Sequence, residues 1–286
     1  MSYGSTIAQA LMGGQAYTAV NKKLMVFAIL FGFLLSPTSL LPAAGPDVQE
    51  IVRRLVEQNE NNWKMRLQYN FTERDVYTKR GIVTSRRTFR VLMIDGSPYN
   101  ELIAEGGHPL AAPRARVEEE KLKAEIARRN HESPSNRRER ISKYQRQRQQ
   151  EHTLMREMVN AFTFKLMGRQ RVNGRDCYVL AASPRSGYKP TSNETKVLTG
   201  MRGTMWIDTQ EYQWVKVEAS VFRPVPLEFS LADVHPGTEF FLEQSPQADG
   251  IWFPTHFVTK VRATALVFWS KKYTEDETYF DYRRSA

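Results

Sequence analysis

The spacing of apolar positions along this chain changes several times, and each change predicts a different kind of structure. Residues 24–35 are twelve consecutive apolar or small residues, placed directly after Lys22 and Lys23. Ser36-Pro37 breaks that run, and the small-residue stretch Pro42-Ala43-Ala44-Gly45 follows. From Val48 the apolar residues Val48, Ile51, Val52, Leu55 and Val56 recur at helical spacing. One such stripe predicts an amphipathic helix over 47–62 with Asp47 as its N-cap. The period then drops to two. Met65, Leu67, Tyr69 and Phe71 alternate with Arg66, Gln68, Asn70 and Thr72, the pattern of a strand with one wet face. Gly81 and Asp95-Gly96 delimit two more strands, over 82–95 and 98–105, and such short links predict an antiparallel meander.

Residues 105–157 differ in kind. Gly106-Gly107-His108-Pro109 interrupts the sheet, and the stretches 118–130 and 137–158 favour helix on either side of Ser133–Asn136. Apolar positions there are sparse (Leu122, Ile126, Ile141, Tyr144), so each helix has only a narrow stripe to bury. Strand signals resume at Phe162 and run to the end of the chain. Asn173-Gly174 is the strongest of the hairpin turns among them. Residues 227–234 read as one strand, and 265–275 and 277–283 as two. With no βαβ alternation, the expected fold is α+β and mainly antiparallel. It is a half-open β-barrel of about ten or eleven strands, with a leading helix and a helical insertion covering or flanking its concave face. No linker divides the chain, so a single domain is expected over 46–286, with the insertion at 105–157.

Composition narrows the setting. The chain has 286 residues, 41% of them hydrophobic, and a mean hydropathy of −0.52, which excludes a polytopic membrane protein. Its single cysteine, Cys177, excludes a disulfide framework and a multi-thiolate zinc site. The order of charge, apolar run and small residues in 1–45 is that of a secretory signal peptide. Twelve helical residues span about 18 Å against a hydrocarbon core of about 30 Å, so an uncleaved anchor is the poorer alternative. A periplasmic mature chain is expected to begin near Pro46. Of the net charge of +10, most comes from residues 114–150, where twelve Lys and Arg face six Glu. That segment is read as a solvated helical face with pairs such as Glu119–Lys123 and Glu125–Arg129. A transient contact of 114–150 with an anionic membrane surface is the alternative. Nucleic acid is not an expected partner, because only Tyr144 interleaves the arginines.

Two adjoining stretches carry a resemblance. They are Arg171-Val-Asn-Gly-Arg-Asp-Cys-Tyr-Val-Leu-Ala-Ala-Ser-Pro184 and Leu198-Thr-Gly-Met-Arg-Gly-Thr-Met-Trp-Ile-Asp208, with Tyr212 and Lys216-Val-Glu218 after them. A hairpin, a Gly-x-x-Trp-Ile-Asp strand and a Val-Lys-Val-Glu strand in this order resemble the LolA/LolB-like, outer-membrane lipoprotein-sorting superfamily. The likeness is to its uncharacterised bacterial branch and covers most of the mature chain outside 105–157. The resemblance implies an exported half-open barrel whose apolar concave face holds acyl chains. The long basic insertion is a departure from the pattern, and no ligand-contacting residue of the superfamily is matched individually.

The residue chemistry is that of a wall, not of a catalyst. The histidines at 108, 131, 152, 235 and 256 are scattered and lack metal-binding spacing. No nucleophile elbow or phosphate loop occurs, so neither enzyme activity nor a cofactor is expected. Cys177 reads as a small buried hydrophobe, and Asp208 as a turn-capping aspartate. Candidate cavity residues are Trp206, Trp214, Phe240, Trp252, Phe257 and Phe268. Alternation does not say which parity faces the hollow. The leading expectation is a monomeric, non-enzymatic binder or carrier of a lipid or acylated protein. An envelope-stress sensor or scaffold binding a protein partner is the second reading, and an envelope hydrolase, without a motif, the third. Mass spectrometry of the protein recovered from periplasm is expected to give a mature N-terminus near Pro46, and an intact Met1 or Met12 would contradict cleavage.

Overall fold

A computed structural model describes residues 46–192, 194–227, 232–265 and 269–285. The signal peptide expected over 1–45 lies outside the described residues. Helix α1 (Val48–Met65) opens the chain, and the Asp47 carboxylate accepts from Gln49 N at 3.0 Å, as an N-cap should. The helix runs on to Met65 and a 3-10 turn follows over Arg66–Gln68, so the strand predicted from Met65 starts at Tyr69.

The first half then forms β1 (Tyr69–Lys79), β2 (Ile82–Ile94), β3 (Ser97–Glu105) and the two-residue β4 (His108–Pro109). Helices α2 (Ala112–Asn130) and α3 (Pro134–Ala161) come next. After them are β5 (Phe162–Val172), β6 (Arg175–Pro184) and a 3-10 helix over Glu194–Gly200. The remainder is β7 (Met201–Asp208), β8 (Trp214–Val221), β9 (Val225–Leu227), β10 (Ala232–Val234), β11 (Glu239–Pro246), β12 (Trp252–Ala265) and β13 (Trp269–Arg284). Among the described residues these thirteen strands make one antiparallel sheet in the order β4-β3-β2-β1-β13-β12-β11-β8-β7-β6-β5, with β9 and β10 branching from β12. The edges β4 and β5 do not pair with each other, so the sheet is open.

Two strand expectations need correction. Residues 227–234 do not form one strand: β9 and β10 pair with each other as separate short pieces. The two strands expected at the end of the chain are one, because Asp276 is paired on both sides, to Val76 and to Val258, and the ladder runs through it. The turn signals were accurate. Asp95-Gly96 (φ 46° and 83°) and Asn173-Gly174 (φ 51° and 79°) take the left-handed conformations that tight hairpins demand.

Helices α2 and α3 lie in sequence between the two sheet edges and bridge them in space. α2 packs on β3, while α3, about 42 Å long, touches β3, α1, β5 and the 3-10 helix at 194–200. The expected surface pairs are present, Glu119–Lys123 at 3.0 Å and Glu125–Arg129 at 2.6 Å. Arg129 does more than pair on the surface. It is only 5% exposed and donates to the carbonyls of Ile94 (2.6 Å), Ser97 (2.8 Å) and Pro98 (3.2 Å). Arg140 adds bonds to Ser97 Oγ at 2.7 Å and to Asp95 O at 3.2 Å, and pairs with Glu132 at 2.6 Å. Two guanidinium groups thus key the helical pair onto the β2–β3 turn, satisfying carbonyls that a tight turn leaves open. On α1, Trp63 stacks on His152 (ring centroids 4.4 Å apart), and the Arg148 guanidinium lies over its ring at 4.4 Å.

Arg129→Met is expected to lower the unfolding free energy by about 2–3 kcal/mol, since it strands the buried carbonyls of Ile94, Ser97 and Pro98. Urea titration checks this, with the exposed Arg138→Met as a control that changes it by less than about 0.5 kcal/mol.

Candidate functional site

Cross-strand partners share a face, and the register therefore fixes what the inside of the shell presents. Leu180 and Tyr178 stand opposite Met205 and Ile207, and Met205 stands opposite Val217. Into this part of the concave face α1 inserts Ile51, Val52 and Leu55, forming one buried cluster with Tyr178, Leu180, Met205, Ile207 and Trp214. Gly203 marks a tight point on the same face, where a Cβ would lie 2.6 Å from Glu218 O. A second cluster packs the 3-10 helix residues Val197 and Leu198 against Phe162, Met201 and Val221.

Between these clusters and the β11–β13 side, the concave face is not filled by packed side chains. A cavity of about 400 Å³ remains there, a size typical of small-ligand sites. Its apolar wall comes from Val52, Leu55 and Val56 of α1, Met201 and Met205 of β7, and Trp214, Val217 and Ala219 of β8. Phe240 and Leu242 of β11 and Phe257 of β12 extend it, and Met158 and Val159 of α3 close over it. Polar groups also line it: Arg66, His152 and Arg156 on the helical side, Gln244, Thr259, Glu275, Glu277 and Tyr279 on the strand side.

Of the aromatics proposed from sequence, the structure brings Trp214, Phe240 and Phe257 together in this wall. Trp206 and Trp252 are not part of it. Met205 and Ile207 point inward, so Trp206 between them faces outward, with Lys216 Nζ 4.6 Å from its ring and its Nε1 donating to Gln170 at 2.8 Å. Trp252 is fully buried in a separate cluster with Cys177 and Val215, and donates to Glu211 at 2.7 Å. Phe268 lies outside the described residues.

Three polar atoms of well-buried side chains in the cavity wall have no hydrogen-bond partner. They are Trp214 Nε1 (residue 5% exposed), Gln244 Oε1 (3%) and His152 Nδ1 (7%). His152 Nε2 is 2.9 Å from Glu60, yet burial still draws its pKa down.

The strand side holds what sequence reasoning missed. Glu73, Asp75 and Tyr77 of β1 stand opposite Tyr279, Glu277 and Glu275 of β13. Four carboxyl groups therefore share the concave face. Burial, then Glu277 and Asp75, push Glu275 up to about 7. Glu73 and Asp75 form a hydrogen-bonded pair, both raised chiefly by burial, Glu73 the more strongly. A signal was present in the sequence: Glu73 and Asp75 continue in phase with the apolar Tyr69 and Phe71, where a wet face would not place them.

Other candidates resolve into structure. Asp208 caps its turn, its Oδ1 accepting from Gln210 N (2.9 Å) and Glu211 N (2.6 Å), while Arg175 Nε holds Oδ2 at 2.7 Å. Cys177 is buried, and burial pushes its thiol up to about 11. A polar cleft of about 410 Å³ between α1 and the β7–β8 turn includes Arg53 and Arg54, both ion-paired to Glu50. Among the described residues, no group of His, Cys, Asp and Glu could hold a metal ion, and no helix is long and apolar enough to cross a membrane.

No protein-family model matches the sequence, and no curated protein is similar to it. Solved structures are. A lipoprotein-sorting protein domain from Vibrio parahaemolyticus, described as putative in its name, is 13% identical; the match covers 80% of this chain and 91% of that one, with a TM-score of 0.35. A LolA superfamily protein from Nitrosomonas europaea is 8% identical over 83% of this chain and 93% of that one, TM-score 0.33. This chain is similar to LolA superfamily structures. MucB in the MucA/MucB complex of Pseudomonas aeruginosa is another similar structure, 12% identical over 83% of this chain and 98% of that one, TM-score 0.22. Superpositions this loose assign no ligand, activity or partner.

The carboxyl groups set a pH dependence. The folded pKa values of Glu73, Asp75 and Glu275 exceed the unfolded values of about 4, so the folded state binds more protons, and stability falls as pH rises through the window from about 4 to 7 and beyond. Glu50 and Glu125, held at about 2 by arginines, are ionised in the folded and unfolded states alike above about pH 6, so they do not oppose the trend between pH 6 and pH 9. Calorimetry is expected to give a higher Tm at pH 6 than at pH 9, and Glu73→Gln is expected to raise Tm at pH 9 by about 3 °C and flatten the slope.

Proposed function

We propose that this chain is a non-enzymatic periplasmic binder or carrier of a lipid or lipidated partner, and that the acyl chain lies in the cavity beneath α1. The observation that supports this most is the hollow itself, an apolar wall of Val52, Met205, Trp214, Ala219, Phe240 and Phe257 that the protein does not fill with its own side chains. Each methylene moved from water into such a wall contributes about 0.8 kcal/mol, so ten give about 8 kcal/mol gross. A bilayer offers the same chain a comparable gain. A carrier competes only if its cavity is already formed, and α1, α3 and the sheet hold this one open. Export is supported by the Lys22-Lys23 pair and the apolar run that follows it. A hollow, in place of a packed core beneath a flat apolar patch, favours an acyl ligand over a protein-binding scaffold.

Native mass spectrometry of the full chain purified from periplasm is expected to find a copurifying lipid or uptake of added single-chain lipid. Recovery of only bare protein in both conditions would count against carriage. Ala219→Phe projects a ring into the hollow, and is expected to weaken acyl binding about tenfold, equivalent to about 1.4 kcal/mol. The cavity has room for that ring, so Tm is expected to move by less than about 3 °C.

A further inference from the structure

The β1–β2 hairpin reaches past the strand beside it. β3 ends opposite Arg87, where Gly106 N donates to the Arg86 carbonyl at 2.8 Å, so residues 82–85 project beyond β3. The turn is Arg80-Gly81, both in the left-handed region (φ 52° and 83°), as a two-residue hairpin turn requires. Just behind it Tyr77 stacks on Tyr273 of β13, with ring centroids 5.2 Å apart. The projection is therefore a braced tip.

The side chains on that tip are not those of an ordinary solvated turn. Ile82 is 70% exposed and the adjacent Val83 49%. Neighbouring strand residues point to opposite faces, so the tip stands clear of the protein on both. Residues 78–87 hold four cations, Lys79, Arg80, Arg86 and Arg87, and no acidic residue. Arg87 reaches Glu105 at 3.4 Å, while Lys79, Arg80 and Arg86 form no salt bridge among the described residues. Lys272, next to the Tyr273 that pairs with Lys79, is exposed as well.

Exposed aliphatic side chains framed by such cations fit an anionic lipid surface. The aliphatic groups enter the acyl boundary while the cations meet the head-group phosphates. A protein partner fits less well. A specific interface takes about 800 Å² from each side, and a two-stranded tip with its two apolar side chains on opposite faces offers no such patch. A fluid bilayer, by contrast, closes around a convex tip.

We propose that residues 79–83 dock the protein on an anionic bilayer, with Ile82 and Val83 inserted at the head-group boundary. Glu275, which lines the cavity, pairs with Tyr77 two residues before Lys79, so docking brings the strand side of the cavity close to the lipid. The tip lies outside the cavity wall, and the inference does not depend on what the cavity holds. It assigns the membrane contact to a sheet hairpin and not to the basic segment 114–150.

A polarity-sensitive fluorophore attached at Ile82→Cys tests this in the full chain purified from periplasm. Cys177 is fully buried, so the label goes to position 82 alone. Val117→Cys, at a site 53% exposed on α2, carries the same label for comparison. With vesicles of phosphatidylcholine and phosphatidylglycerol in equal parts, the label at 82 is expected to brighten and shift to the blue, and the label at 117 to stay unchanged. Each cation near an anionic leaflet strengthens binding about fivefold, so phosphatidylcholine alone is expected to bind at least about tenfold more weakly. Lys79→Gln with Arg80→Gln is expected to raise the mixed lipid needed for half the response at 82 by at least about tenfold, with circular dichroism confirming the fold. A response at 117 that equals or exceeds the one at 82 overturns the proposal in favour of the basic segment. No response at either position overturns it in favour of an acidic protein partner, and equal responses to both kinds of vesicle overturn it too.

Discussion

The structure depends on the fit of one helix against part of a curved sheet. Ile51, Val52 and Leu55 interlock with Tyr178, Leu180, Met205 and Ile207, and that contact both orders α1 and bends β6 to β8 around it. A helix is about 10 Å across, narrower than a shell whose paired strands run from β4 to β5. Seating it on one flank means it does not cover the other. The hollow is therefore not a packing defect scattered through the core but the remainder of a geometry in which one cylinder lies against one side of a wider trough. Helix α3 limits that remainder from above, with Met158 and Val159 lining it, and its own position is tied to the β2–β3 turn by Arg140, as that of α2 is by Arg129.

Much of this was legible from residue order. Apolar spacing located α1 and its cap, turn residues located the hairpins, and the sparse stripe of 118–158 marked helices with little to bury. What sequence could not supply was parity. Trp206 and Met205 are adjacent, equally apolar and equally plausible as wall residues, and only the pairing of β7 with β6 and β8 turns one inward and the other out. Trp252 was chosen on the same ground of apolar bulk, and it fills a separate buried cluster with Cys177 and Val215. Arg129 was hidden by its own plausibility. Glu125–Arg129 reads as a surface pair, and the pair exists, while the guanidinium's other donors make long-range bonds that no local pattern encodes.

The two halves of the charge distribution end up inverted relative to first appearance. The segment that carries most of the excess positive charge directs three of its arginines, Arg129, Arg140 and Arg148, into the fold, where they bind backbone carbonyls. The first meander, nearly neutral in total, turns Glu73 and Asp75 into the concave face. Departures from a local rule tend to mark sites, and here the departure is a pair of carboxyls in phase with Tyr69 and Phe71. Net charge by segment thus indicated neither where the cations act nor where the polarity of the cavity comes from.

A sheet that must remain open also has two ends, and an unpaired strand end invites another copy to add to it. Both ends of this sheet are shaped against that. β4 is two residues long and finishes at Pro109, which has no amide hydrogen to donate. β5 is interrupted by a register shift between Leu166 and Gly168, where φ is 136°, and carries Lys165, Arg169 and Arg171. The kink spoils a straight ladder, and two approaching copies would bring like charges together. Openness toward a ligand is thereby kept separate from stickiness toward other copies of the same chain.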